Sequence, residues 1–218
     1  LFGFGKSEKV IVEPDYSFSY QLKLLWELIR LLDLDNVVLV GHSYGGILGT
    51  LMCRHDSDKK ISKFVNVEGG ISRSSTIESR NAVNVLKDNN NDIIEFGNWL
   101  HEGGFEHWLL EDLESASTVK YFDSVLECDP EAFAQTATEI CNTLEQEDDL
   151  GCNEVSEAYR DILIPKIFCV GTRPAMDDTK RFLYRNELQI KEFNVLSHWI
   201  MLDKCEEFYS FLNSVIAT

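Results

Sequence analysis

The chain predicts an α/β protein built on a parallel sheet, with a long helical segment inserted between two of its strands. Short apolar runs, Val37–Val40, Phe64–Val67 and Lys166–Val170, are separated by stretches with helical periodicity. Strands alternating with helices imply a parallel sheet covered on both faces. Val37–Val40 runs directly into Gly41-His42-Ser43-Tyr44-Gly45-Gly46 and then into the apolar run Ile47–Cys53, which reads as strand, sharp turn and helix. From Ile71 to about Arg160 strand signals vanish, and aromatic and acidic residues alternate. The expected division is a sheet core from 1–70 and 161–218, with a helical cap over 71–160.

Taken in order, Leu1–Ser7 reads as a tight, aromatic-bearing loop. Gly3 and Gly5 lack the third glycine and the preceding strand of a dinucleotide-binding turn. A helix is expected from about Ser17 to Leu32, with Leu25, Leu28, Ile29 and Leu32 on one apolar face and Gln21, Lys23, Glu27 and Arg30 on the wet side. Val37–Val40 is a buried strand, His55–Lys60 a polar loop, and Phe64–Val67 a second strand ending at Glu68-Gly69-Gly70. In the inserted segment Ala82–Leu86, Ile93–Leu100, Phe105–Leu113 and Pro130–Leu144 read as helices. Its aromatics Trp99, Phe105, Trp108 and Phe122 fit a pocket lining and the segment's own core equally well. Lys166–Val170 is the third strand, Asp178–Leu183 a helix and Leu188–Phe193 a weaker strand. Cys205–Ala217 is a closing helix with Phe208, Phe211, Leu212 and Val215 inward.

A length of 218 residues suits one substantial domain with an insertion. The formal charge of −17 argues against nucleic acid, whose phosphates need Lys and Arg. No apolar run approaches the ~20 residues of a membrane span. Acidic runs such as Glu145–Asp149 read as solvated surface. Six cysteines without CxxC pairing point to reduced thiols and a reducing compartment, the cytoplasm. His101 and His107 are six apart across Gly103-Gly104, too far to share a helix face, so no metal site is read there. No cofactor motif is present.

The turn after the first strand carries the chemistry. A Gly-x-Ser-x-Gly pattern between strand and helix is a nucleophile elbow: Ser43 sits at the tip of a strained bend, Gly41 and Gly45 allow close approach, and the Tyr44 N–H at the helix start can face an oxyanion. Together with Leu1–Ser7 and Ser197-His198-Trp199, these residues resemble the α/β-hydrolase superfamily, in particular its capped esterase- and lipase-like branch. The resemblance covers the whole chain and implies a triad in the order nucleophile, acid, histidine. Ser43 would be the nucleophile and His198 the acid/base, with a carboxylate orienting the imidazole. Glu68, at the end of the second strand, is the favoured carboxylate, with Asp178 and Asp177 in the loop after the third strand as alternatives. His42 reads as a packed residue lining the turn.

The resemblance also implies about eight strands, of which only the later ones are present. A first oxyanion donor of His-Gly type would precede Leu1, leaving Tyr44 as the donor within these residues. The expectation is therefore a fragment with Val37–Val40 at the edge of the sheet. Serine at the elbow argues against dehalogenase and epoxide-hydrolase chemistry, which uses a carboxylate nucleophile. A serine hydrolase of small-molecule carboxylic esters is the expected activity. The alternatives are carbon–carbon hydrolysis by the same triad, a non-catalytic small-ligand binding protein and an inactive fragment.

Overall fold

The computed structural model describes residues 1–9, 14–112, 116–148 and 151–217. Leu113, the expected end of one helix, and Asp149, the end of an acidic run, lie outside the described residues. In chain order the elements are α1 (Phe18–Leu31), β1 (Val37–His42), α2 (Tyr44–Arg54), β2 (Ile61–Val67), α3 (Ile77–Asp88), α4 (Ile93–His101), α5 (Gly104–Asp112), α6 (Ala116–Val125) and α7 (Pro130–Leu144). There follow α8 (Glu154–Asp161), β3 (Lys166–Val170), α9 (Asp177–Arg185), β4 (Ile190–Glu192), α10 (Ile200–Asp203) and α11 (Cys205–Ile216). They form two compact units, one of Leu1–Leu24 with Thr76–Asn142, the other of Leu25–Ser75 with Thr143–Thr218.

In the second unit the four strands make one parallel sheet in the order β1-β2-β3-β4. Strand β2 shows why both faces must be covered. Val65 and Val67 project to one side, into a cluster with Cys169, Phe193, Ile200 and Phe208, backed by Phe211, Leu212 and Val215 of α11. Phe64 and Asn66 project to the other, as the period of two requires. There the Phe64 ring meets Tyr159 of α8, and a Cβ on Gly49 of α2 would stand 2.6 Å from that ring. The α/β architecture with a parallel sheet is the one expected. Among the described residues no strand pairs with the outer side of β1, and Val40 there is 42% exposed.

Several local expectations need correction. Of the apolar face foreseen on α1, Ile29 is buried, but Leu28 and the following Leu32 are more than half exposed. Gln21, assigned to the wet side, is buried and exchanges hydrogen bonds with the backbone of Phe2, accepting from its N–H and donating to its carbonyl. Periodicity identifies a face but not what covers it. Helices α6 and α8 were not foreseen. For α8 the signal was a cap: the Asn153 side chain accepts from the amides of Val155 and Ser156, and the Ser156 hydroxyl accepts from the Asn153 amide.

The first unit is helical, with Phe105 as the hub of its aromatic core. That ring packs on Trp99, Trp108, Phe122 and Phe133 at centroid distances of 5.3 to 6.1 Å. Tyr16 is fully buried and donates its hydroxyl to Asp129. A cavity of about 570 Å³ in this unit is lined by residues that include Ile93, Gly97, His101, Asp129 and Pro130.

Candidate functional site

The turn between β1 and α2 is a strained bend. Ser43 has φ 53° and ψ −122°, a left-handed conformation that non-glycine residues rarely adopt. Strain of this kind costs ~1–3 kcal/mol and persists only where the surroundings enforce it. Two hydrogen bonds hold it: the Ser43 amide donates to Val67 O at 3.0 Å, and Ser43 O accepts from the Gly46 amide at 2.8 Å. A Cβ on Gly41 would lie 2.3 Å from the Gly45 carbonyl oxygen, so only glycine fits there. The other close approach belongs to Gly46, not to Gly45 as expected. A Cβ on Gly46 would lie 2.6 Å from Asn66 Oδ1 and 2.7 Å from Gly69 Cα, whereas one on Gly45 would meet nothing within 4 Å. Tyr44 opens α2, so its amide lies in the first turn, where helix N–H groups point outward and the dipole is positive.

The loop after β4 brings His198 to the same place. His42, next to Ser43, has Nε2 2.9 Å from the His198 carbonyl oxygen, and the two imidazole centroids are 4.7 Å apart. A carbonyl can only accept, so His42 is protonated on Nε2. Desolvation, aided by nearby His198, depresses the His42 pKa from 6.5 to about 3. His42 is therefore a neutral structural donor at neutral pH.

Glu68 also lies against His198. Its side chain is fully buried and its backbone, like that of Ser43, is left-handed with φ 51°. The Gly171 amide donates to Oε1 at 2.5 Å, while His198 Nδ1 is 3.3 Å from Oε2. Burial pushes the carboxyl above its ordinary range, opposed chiefly by Arg173 and then by the Gly171 N–H. Asp177 and Asp178 have a different setting. They form the first turn of α9 and pair with Lys180 and Arg181 on their own helix, three residues on. The structure thus brings His198 to Glu68 and leaves Asp178 in a solvated helix pair.

Sequence reasoning overlooked Arg173. Its side chain is buried, with Nη2 3.2 Å from His198 Nδ1 and 3.3 Å from Glu68 Oε2. Its position two residues after Gly171 is a visible signal, because the resemblance places a triad acid in the loop after the third strand. Asn66 was also missed. Its Oδ1 accepts from the Gly69 amide at 2.9 Å and stands against Gly46, tying the end of β2 to the elbow. A buried asparagine inside an apolar strand was the available clue.

Residues 1–96 match the family model described as alpha/beta hydrolase fold. Solved structures with a similar fold include a carboxylesterase from Nitrososphaera gargenis, 14% identical with a TM-score of 0.72, the match covering 100% of this chain and 77% of that one. An esterase from Exiguobacterium antarcticum is 16% identical with a TM-score of 0.70, over 99% of this chain and 79% of its own. The enol-lactonase from Burkholderia xenovorans LB400 is 16% identical with a TM-score of 0.72, over 99% and 78%.

Proposed function

The chain has the α/β-hydrolase fold, and on that premise we propose that it is a serine hydrolase of carboxylic esters or similar acyl compounds. The observation that carries this reading is the contact between elbow and histidine loop. His42, bonded covalently to Ser43, touches His198, and Nδ1 of His198 faces a buried carboxylate. Esterases and an enol-lactonase among proteins of similar fold support the same class, although a fold by itself does not decide a reaction.

In the proposed cycle the Ser43 hydroxyl attacks the acyl carbonyl as His198 Nε2 takes its proton. Glu68, ionised, accepts from Nδ1–H and stabilises the imidazolium that forms. The Tyr44 N–H helps to hold the developing oxyanion. The tetrahedral intermediate collapses to an ester on Ser43 while His198 returns the proton to the departing alcohol. A water molecule then releases the acid by the reverse sequence. Glu68 is assigned the orienting role over Asp178, because Asp178 is committed to Arg181 on the surface.

A fluorophosphonate probe tests the reading, since it labels only activated serines. The expected result is labelling of the protein that disappears in Ser43→Ala. Absence of labelling in the folded protein overturns the enzyme reading in favour of a non-catalytic ligand-binding protein.

A further inference from the structure

His198 Nδ1, Glu68 Oε2 and Arg173 Nη2 form a near-equilateral triangle with sides of 3.2, 3.3 and 3.3 Å. The three groups do not have the same freedom. A guanidinium nitrogen carries protons at every accessible pH and can only donate. An ionised carboxylate can only accept. Nδ1 of a neutral imidazole can do either, and the occupant of the triangle's third corner decides which. Each terminal guanidinium nitrogen bears two hydrogens, so Arg173 Nη2 can donate to Glu68 and to Nδ1 together. That arrangement gives each Nη2 hydrogen an acceptor. If Nδ1 carried the proton instead, its N–H would confront an Arg173 N–H at 3.2 Å.

We infer that Arg173 is a positioning residue that holds His198 in the tautomer protonated on Nε2, an autoinhibitory state of the triad. The inference rests on the acyl-transfer reading for its consequence, not for its geometry. With the proton on Nε2, the imidazole has no lone pair directed at a nucleophile and cannot accept the hydrogen of Ser43. Catalysis then requires Arg173 to leave Nδ1, so that Nδ1–H turns to Glu68 and Nε2 becomes the base. The imidazolium formed during attack places donors on both nitrogens, and it too is opposed while Arg173 remains. Glu68 favours the opposite tautomer, and His42 engages the His198 carbonyl rather than its ring nitrogens.

Nitrogen-15 NMR of the imidazoles reads the tautomer directly, with His198→Gln identifying the signals. In the wild-type protein near pH 8 the expected spectrum has His198 Nε2 protonated and Nδ1 unprotonated. Arg173→Met is expected to move the proton to Nδ1, and Arg173→Lys, which keeps a donor and the charge, to restore the Nε2–H form. Labelling of Ser43 by fluorophosphonate should be at least tenfold faster in Arg173→Met than in wild type. A proton on Nδ1 in the wild-type protein overturns the inference, and that spectrum decides even if Arg173→Met fails to fold. An Arg173 that serves only as a counter-ion to Glu68 would leave the tautomer unmoved in Arg173→Met, which also overturns it. No labelling of Arg173→Met even with its His198 proton on Nδ1 rejects the acyl-transfer reading while the tautomer assignment for the wild type stands.

Discussion

Glu68 at the end of β2 and Asp178 at the start of α9 carry the same carboxylate in opposite settings. The Glu68 side chain has no exposed surface, and its oxygens meet the Gly171 amide, Arg173 and His198. The Asp178 side chain is 46% exposed and meets Arg181 one turn along its own helix. A surface pair of that kind contributes ~0–1 kcal/mol and is screened by salt. A buried carboxylate has no water to fall back on, so each partner it loses is felt in full. Both residues looked like reasonable triad acids because charge and loop position are sequence properties. Burial is not.

The sharpest test of this contrast is activity. Glu68→Gln keeps the shape of the side chain but removes the charge that holds the imidazole, and kcat should fall on the order of 10³–10⁴-fold. Steady-state hydrolysis of a small activated ester reads it. A small effect there, with a crippled Asp178→Asn, would reverse the contrast.

The next largest effect is expected in the packing of the bend around Ser43. Gly41→Ala drives a Cβ to 2.3 Å from backbone oxygen and should destabilise the protein by about 3 kcal/mol, lowering Tm by roughly 6–12 °C. Gly45→Ala meets open space and should leave Tm nearly unchanged. Equal shifts in the two variants would show that the elbow is looser than its geometry.

Acid should weaken the end of β1 through His42. Its folded pKa is depressed from 6.5 to about 3, so between those values the unfolded chain binds a proton that the folded chain refuses. Stability from this group is complete above pH 6.5 and is lost as pH falls toward 3. Glu68 acts with the opposite sign, since its raised pKa removes stability as pH climbs from its ordinary 4.5 through the folded value. Urea titrations at pH 7.5 and 5 should show His42→Gln losing about 1–2 kcal/mol less on acidification than wild type. Equal losses would remove His42 as the acid-sensitive group. The smallest effect belongs to Asp178→Asn, expected within about 0.5 kcal/mol of wild type in the same titrations at neutral pH and low salt.

Legibility followed the range of the interactions. The elbow was visible because all its determinants lie within a dozen residues: valines for the strand, Gly41 where a side chain cannot fit, and a helical run after Ser43. Alternation of such units was enough to anticipate a parallel sheet, since that connectivity leaves few other solutions. Strand ends were harder, because β1 continues through Gly41 and His42 only by pairing with Asn66 and Val67 of β2. Helix α6 buries Ser117 and Thr118 beside Phe122 and Val125, so its inner face is half polar, while α8 adds to its cap only the short apolar set Val155, Ala158 and Tyr159.

What the sequence alone determined was the backbone vocabulary: where the chain must bend sharply at Ser43, and which runs are apolar enough to be strands beneath helices. Such properties are settled by neighbours in the chain. Only the tertiary structure decided which carboxylate stands beside His198, that Gly46 rather than Gly45 makes the second close contact, and that Arg173 occupies the third corner. Those outcomes join residues as much as 130 positions apart, and electrostatics at 3 Å depends on the folded distance between groups, not on their separation along the chain.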